Sequence, residues 1–302
     1  MLHFLPVWLK LIAALLLYTC NTIFWLIPII LFSLLKACIP LRAWRTLMSY
    51  LLDLMAGSWI HVNTFNQKLF TRVQLQVDGT EQLNKQAWYL VISNHQSWVD
   101  ILVLQRVLQG KVPFLKFFLK QELIFVPLLG LAWWALDFPF MKRYSSNLLA
   151  RKPHLKGKDL ARTQNACAKF KYKPVSVMNF LEGTRFTPHK HQQQQSPFQH
   201  LLKPKAGGIA FVLSAMGEHL TNIIDVTIHY PQGIPSFIDY ITGNVKQVQV
   251  AINVLPIDEH LKGDYFNDRI FQYRFRQWVN QLWCNKDQQL LSMIEQSKQD
   301  NA

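Results

Sequence analysis

The stretch Asn94-His95-Gln96-Ser97-Trp98-Val99-Asp100 carries an imidazole and a carboxylate with four residues between them. The apolar, partly β-branched run Trp88-Tyr89-Leu90-Val91-Ile92 precedes it and predicts a buried strand. Ile101 to Leu104 follows and reads as helix. His95 and Asp100 therefore fall in or just past a strand-to-helix turn, where α/β enzymes place reactive side chains. If Gln96 or Ser97 opens the helix, the carboxylate folds back onto one imidazole nitrogen. It then fixes the tautomer and stabilises the imidazolium, and the other nitrogen is left as a base. No serine or cysteine in the stretch is placed as a nucleophile. The pair thus suits proton removal from a hydroxyl that a substrate brings. The same spacing also fits a His-capped turn followed by an Asp-capped helix.

Other segments carry phosphate chemistry. Val175 to Phe180 reads as a strand ending in Leu181-Glu182-Gly183-Thr184-Arg185. The glycine allows a tight turn, and Arg185 is left to grip a phosphate with two parallel N–H bonds. A surface turn with a local Glu-Arg ion pair is the alternative. Lys203-Pro-Lys205-Ala-Gly-Gly208 leads into an apolar helix, Ile209 to Met216, and a basic, glycine-rich helix start suits an anion. Residues 111–122 interleave lysines with aromatics, which fits single-stranded nucleic acid or a basic rim on an apolar slot for a phosphorylated lipid. The apolar N-terminus favours the lipid. Residues 189–200, His-Lys-His followed by four Gln and later His200, read as a mobile loop. Three histidines invite a metal, but no second cluster completes a ligand set.

The elements around these segments are lipid-facing in character. Half of the 302 residues are hydrophobic, ten are Trp, and the net charge is +14. That balance points to an anionic partner: nucleic acid, an anionic membrane or a phosphate-bearing substrate. Cys20, Cys38, Cys167 and Cys284 are far apart and form no Cys-x-x-Cys pair, so neither a zinc site nor a disulfide framework is implied; a reducing, cytosol-facing setting fits.

Residues 5–39 are almost continuously apolar, and Leu11 to Leu35 carries no charge. That length crosses a bilayer as a helix. Lys36, Arg42 and Arg45 follow and place its C-terminal end in the cytoplasm. A shallow hairpin bent near Cys20–Thr22 is the alternative. A cleaved leader does not fit, because the run is too long and no small-x-small site follows it. Leu47, Leu51, Leu54, Met55 and Trp59 mark residues 41–62 as an amphipathic helix, on the membrane surface or, as favoured here, packed on the core. Val73, Leu75 and Val77 alternate as a strand, turned by Asp78-Gly79. Leu123 to Met141 is a second apolar run, but Pro127, Gly130, Asp137 and Pro139 argue against one straight span and for a buried or interfacial element. Residues 145–173 are polar and basic with helical stretches. Asn222–Tyr230 and Val248–Leu255 read as strands, and a charged amphipathic helix and tail start near Asp264.

Four blocks occur in order: Asn94-His95-x-x-x-x-Asp100, Phe140-Met141-Lys142-Arg143, Phe180-Leu-Glu182-Gly183-Thr184-Arg185 and Val226-Thr-Ile-His-Tyr-Pro231. Their order and spacing resemble the motif blocks of the glycerolipid acyltransferases, the family that includes 1-acylglycerol-3-phosphate acyltransferase. The resemblance covers roughly residues 70–255. In detail the chain is similar to a bacterial inner-membrane branch of probable acyltransferases, itself similar to lysocardiolipin and lysophosphatidylinositol acyltransferases. The Lys120-Gln-Glu122-Leu segment looks like the family's basic segment. Lys142 stands where Asp is frequent, Leu181 where Pro is commonest, and Asp225 to Pro231 departs from the usual apolar Ile-Pro-Val; these departures leave the acceptor headgroup open.

The resemblance implies an α/β fold with a mixed, curved sheet flanked by helices, preceded by a membrane-embedded helix or helical hairpin. The expected division is 1–62 anchor and amphipathic helix, 63–263 catalytic domain, 264–302 helix and tail. It implies acyl transfer from acyl-CoA or acyl-carrier protein to the sn-2 hydroxyl of a lysophospholipid, foremost 1-acyl-glycerol-3-phosphate. His95 would be the base and Asp100 its orienter, with no acyl-enzyme, no cofactor and no metal. Lys142, Arg143, Glu182, Gly183, Thr184 and Arg185 would hold the acceptor phosphate, Glu182 by positioning Arg185 or a glycerol hydroxyl. Lys120 and Lys205 would contact phosphate or CoA. The implied partners are the lysophospholipid, the acyl donor and the bilayer rather than nucleic acid, at a bacterial inner membrane with the catalytic domain facing the cytoplasm.

Overall fold

The computed structural model describes residues 2–141, 170 and 173–300. Helix α1 (Val7–Cys38) runs unbroken through Cys20–Thr22, so the bend expected as an alternative there does not form. Asn21, the polar residue within that stretch, is buried and donates to Asn63 Oδ1 (2.8 Å) and to the Trp59 carbonyl (3.0 Å) on the next helix. That helix, α2 (Arg42–Phe70), continues past the boundary expected at 62. The two helices pack together as a hairpin that turns at residues 39–41 instead. Met48, Leu52, Ala56 and Ile60 recur every fourth residue and form the buried stripe of α2. Leu47, Tyr50, Leu54, Val62 and Phe65 lie outside it and are exposed. Core packing thus holds for one face, and the other face is apolar and uncovered.

Strand β1 (Gln74–Asp78) ends in Gly79, whose φ of +82° only glycine adopts without strain. Strand β2 (Tyr89–Ser93) is buried at every position. Helix α3 (Val99–Leu108) and short strands β3 (Leu115–Phe117) and β4 (Leu119–Lys120) follow. The second apolar run is not one span: a 3-10 turn (Gln121–Phe125), helix α4 (Leu129–Ala135) and strand β5 (Phe140–Met141) divide it. A Cβ at Gly130 would lie 2.1 Å from the Ile124 carbonyl oxygen, so this corner needs glycine. Lys142, Arg143 and the helical stretches expected after 145 lie outside the described residues, Phe170 and Lys173 excepted.

Strand β6 (Ser176–Phe180) is followed by helix α5 (Pro188–Gln194), which replaces the expected mobile loop. The reason is a cap: the Thr187 hydroxyl accepts the Lys190 N–H, and Pro188 fits the first turn. Helix α6 (Ala206–Met216), strand β7 (Asn222–His229), helix α7 (Phe237–Thr242), strand β8 (Gln247–Pro256) and helix α8 (Arg269–Gln299) complete the fold.

The six-stranded sheet has the order β1-β8-β7-β2-β6-β3, parallel except between β7 and β8. It is therefore the mixed α/β sheet with flanking helices that the motifs implied. Alternation along β2 divides the core. Val91 joins the cluster with α2 and α3, while Leu90 and Ile92 join the cluster with α6 and α8. In register, Ser93 faces Phe180 of β6 and Val226 of β7. The three chains that leave these neighbouring parallel strands are delivered to one end of the sheet, where α/β enzymes bind ligands.

Candidate active site

Beyond Ser93, the side chain of Asn94 acts as one more rung between β2 and β7. Its Nδ2 donates to the Ile228 carbonyl and its Oδ1 accepts the Ile228 N–H, both at 2.9 Å. The backbone of His95 is thereby released from the sheet. Its N–H goes to Glu182 Oε1 (2.8 Å) and its carbonyl accepts from the Phe186 N–H (2.7 Å). Two bonds therefore lock the residue to the 181–186 turn after β6. The imidazole lies flat on Phe180, with centroids 3.9 Å apart and planes at 13°.

Asp100 sits in the first turn of α3 and is fully buried. The helix begins at Val99 rather than at Gln96 or Ser97, and those two residues give their N–H groups to the carboxylate instead. Oδ2 accepts from Gln96 N–H (2.6 Å), Ser97 N–H (2.9 Å) and His95 Nδ1 (2.9 Å); Oδ1 accepts from the Tyr230 hydroxyl (2.6 Å). All partners donate, which is what a buried carboxylate needs to remain an acceptor. His95 Nδ1 then carries the hydrogen and Nε2 the lone pair. Nε2 has no hydrogen-bond partner among the described residues, and 12% of the imidazole side chain is exposed. Chemically, such an arrangement can serve as a base: it offers a fixed tautomer, a buried counter-charge and an open lone pair.

Tyr230 was part of the fourth block but had no assigned role. Its signal was positional: it follows the end of β7, in line with the end of β2. Burial first, and the Asp100 carboxylate second, hold its phenol well above the usual range, so it stays a neutral donor.

Glu182 corrects an expectation. It is fully buried, and both of its oxygens are turned to backbone donors rather than to Arg185. Oε1 takes the His95 N–H and Oε2 the Leu202 N–H (3.0 Å). Burial pushes its carboxyl up to about 8, against the pull of these two donors. The far end of this link belongs to α8. The Trp283 indole donates to the Leu202 carbonyl (3.0 Å), and Asp287 accepts the N–H groups of Gln199 and His200 (2.7 and 2.9 Å). Next to them, fully buried Lys286 donates to the Val226 carbonyl and pairs with Asp225 at 2.6 Å. A helix expected only as a charged C-terminal element thus supports the histidine from behind.

The other site residues divide. Gly183 has φ +68° and makes the tight turn. Arg185 is exposed, and its guanidinium lies 5.0 Å from the ring centre of Trp98, inside the His-Asp stretch. Thr184 accepts from Lys190 Nζ (2.8 Å), which also reaches the Arg185 carbonyl, so Lys190 is a cation of this turn that the motif left out. Lys205 caps α6, and its backbone N–H bonds to the Leu181 carbonyl, which ties the helix start to the same turn. Lys120 is exposed on β4, paired with Met141 directly before Lys142-Arg143. Lys116, counted in the basic rim, is buried instead. It donates to the Leu136 carbonyl (2.6 Å) and lies 3.6 Å from Asp53.

A family model described as Acyltransferase matches residues 74–230. The Arabidopsis thaliana 1-acyl-sn-glycerol-3-phosphate acyltransferase 3 is 26% identical over 237 residues, 72% of this chain and 57% of its own. The Mus musculus 1-acyl-sn-glycerol-3-phosphate acyltransferase gamma is 24% identical over 66% of this chain and 51% of its own. Lysocardiolipin acyltransferase 1 of Gallus gallus is 23% identical over 69% and 54%. The chain spans little more than half the length of these relatives. A crystal structure of the 1-acyl-sn-glycerophosphate (LPA) acyltransferase PlsC from Thermotoga maritima aligns over 93% of this chain and 95% of its own at 17% identity, with a TM-score of 0.49.

Proposed function

The chain belongs to the acyltransferase family, and on that footing we propose that it transfers a fatty acyl group to the sn-2 hydroxyl of a lysophospholipid, with 1-acyl-glycerol-3-phosphate as the first candidate acceptor. The observation that carries the reading is the His95–Asp100–Tyr230 array with Nε2 of His95 left open. The acceptor hydroxyl gives its proton to Nε2 as its oxygen attacks the thioester carbon of acyl-CoA or acyl-carrier protein. Asp100 stabilises the imidazolium so formed. When the C–S bond breaks, the imidazolium returns the proton to the leaving thiolate. No side chain becomes acylated, which agrees with the lack of a nucleophile in the first block. Arg185, with Lys190 beside it, is the described cation best placed for the acceptor phosphate; Lys142, Arg143, Lys120 and Lys205 are the further candidates. The likeness to a lysocardiolipin acyltransferase favours, as the second reading, a lysophospholipid with a larger headgroup.

The lipid is met at the hairpin. α1 is the one described helix long and apolar enough to cross a membrane. Yet it is tied to the rest of the chain along its whole length. Leu2 N–H bonds the Leu69 carbonyl near its start, Tyr18 meets Phe237 edge-on in its middle, and Lys36 pairs with Asp137 at its end. A helix held so lies along the catalytic domain rather than standing out from it. Its uncovered residues, among them Trp8, Phe24 and Leu31, together with Phe4 just before it and Leu54 and Phe65 of α2, offer an apolar face to one leaflet. The catalytic domain then sits on the cytoplasmic side of a bacterial inner membrane.

The test is acyl transfer in membranes that carry the protein or its His95→Ala variant, with radiolabelled acyl-CoA and a panel of lysophospholipids. Loss of the general base should cost about 10²–10⁴-fold in rate. Undiminished transfer by the variant sinks the mechanism. Transfer to lysocardiolipin but not to 1-acyl-glycerol-3-phosphate replaces the first acceptor with the second.

A further inference from the structure

A cleft of about 430 Å³ opens where α1 ends and α2 begins. Among the described residues, Lys36, Arg42, Arg45 and Lys173 line it against one lining carboxylate, Asp137, an excess of three positive charges (4 − 1). Behind the wall, Asp53 pairs with both Lys173 and Lys116, and including Lys116 and Asp53 leaves the same excess (5 − 2). The 29-residue helix α2 begins here with no acidic residue in its first turn and no side-chain cap, so its dipole and its first N–H groups also favour an anion. Burial pushes the Lys173 ammonium down to about 8; Asp53 opposes the shift, and the neighbouring Lys116 and Lys36 add to it.

The rim has the opposite character. Leu34 and Trp134 are half exposed and Leu41 more so. The Trp44 indole donates to the Leu35 carbonyl at the end of α1, and Tyr50 lies 5.2 Å from Lys173 Nζ. Cations in the cleft, with indoles, a phenol and leucines around it, follow the sequence of groups across a lipid's headgroup and upper acyl chains. The cleft is not part of the His95 site. Lys173 precedes β6 and Phe180, the residue stacked on His95, ends it. The four strand steps from Ser176 to Phe180 alone span about 13 Å, and Lys173 lies three residues before them.

We propose that this cleft seats the phosphate of an anionic bilayer phospholipid, with the lipid's chains lying along Leu34 and Trp134. The proposal rests on the reading of the hairpin as the membrane face, and not on acyl transfer.

The test floats the full-length protein with vesicles of phosphatidylcholine, alone or with phosphatidylglycerol added. The wild type should bind the mixed vesicles more tightly. Arg42→Gln/Arg45→Gln should lose about thirtyfold of that preference, while Arg42→Lys/Arg45→Lys keeps most of it and serves as the folded control. Lys262→Gln/Lys298→Gln, which removes the same charge elsewhere on the surface, should leave it unchanged. An equal loss in both Gln pairs would mean diffuse attraction and overturns the proposal. Release of the wild type by CoA or inorganic phosphate would mean a site for a soluble phosphate and overturns it too. Because binding is read without substrates, its outcome is independent of whether the protein transfers acyl groups.

Discussion

Tyr230→Phe removes one oxygen from a buried site and leaves the ring that packs there. The lost bond runs 2.6 Å from the phenol to Asp100 Oδ1. A hydrogen bond to a charged acceptor is worth about 1.5–3 kcal/mol, and the carboxylate oxygen left behind is buried without a partner. For a domain of this size that corresponds to a fall of roughly 3–12 °C in the unfolding midpoint. Oδ2 keeps its three N–H donors, so the His95–Asp100 contact survives. Only the share of the loss that lets Asp100 turn away from the imidazolium reaches the barrier. At about 1.4 kcal/mol that share is a tenfold drop in kcat. KM should stay put, because the phenol is spent on Asp100. The alkaline limb of the pH–rate profile should not move either, since the buried phenol does not ionise in the working range. Thermal unfolding in detergent and steady-state transfer over a range of pH read all of these. Wild-type stability in the variant would show that the fourth bond holds nothing. A loss as deep as that of His95→Ala would make Tyr230 a proton carrier and break the assignment.

Asp100→Asn can keep its amide oxygen toward the three N–H donors and its NH₂ toward the Tyr230 oxygen, so the fold should persist while the charge is lost. At about 1.5–3 kcal/mol for the charge-assisted contact, kcat should fall roughly 10- to 150-fold, and an unchanged kcat would remove the imidazolium stabiliser from the mechanism. Glu182, raised to about 8 in the fold, binds a proton that the unfolded chain has released above pH 4.5. Stability should therefore decline as pH rises from about 4.5 to 8, and Glu182→Gln should flatten that decline in pH-resolved denaturation; a persisting slope would point to another group. Trp283→Phe deletes the indole bond to the Leu202 carbonyl. We expect about 1 kcal/mol of lost stability and a few-fold lower kcat at constant KM, whereas a change in KM alone would place Trp283 in substrate binding.

The His-Asp contact was legible because its parts are local: one strand, one turn and the first turn of one helix lie within a dozen residues. Glu182 was misread for the opposite reason. Its neighbours Gly183 and Arg185 suggest a phosphate turn, but only the register of Ser93 against Phe180 shows that the carboxylate lies beneath His95. The burial of Asn21 was not legible, because its partner, Asn63, is on another helix. Lys116 looked like a rim because its chain neighbours are aromatic, while its counter-charge, Asp53, is distant in sequence. The helix over 188–194 was readable after all: Thr187-Pro188 is a cap and a first-turn proline, overshadowed by the glutamine run. Contributions from α8 were not legible, since nothing in a charged amphipathic helix announces which backbone groups it will hold.

The strand order sets a timetable for making the protein. Among the described residues β1 is the first strand, yet its only partner in the sheet is β8, the last. Until Pro256 has left the ribosome, β1 has no partner and one edge of β7 stands open, and such edges invite wrong pairing. The α1–α2 hairpin needs only contacts near in sequence and can form long before that. An early docking of the hairpin on a membrane would hold the growing chain apart from its neighbours while the first strand waits for the last.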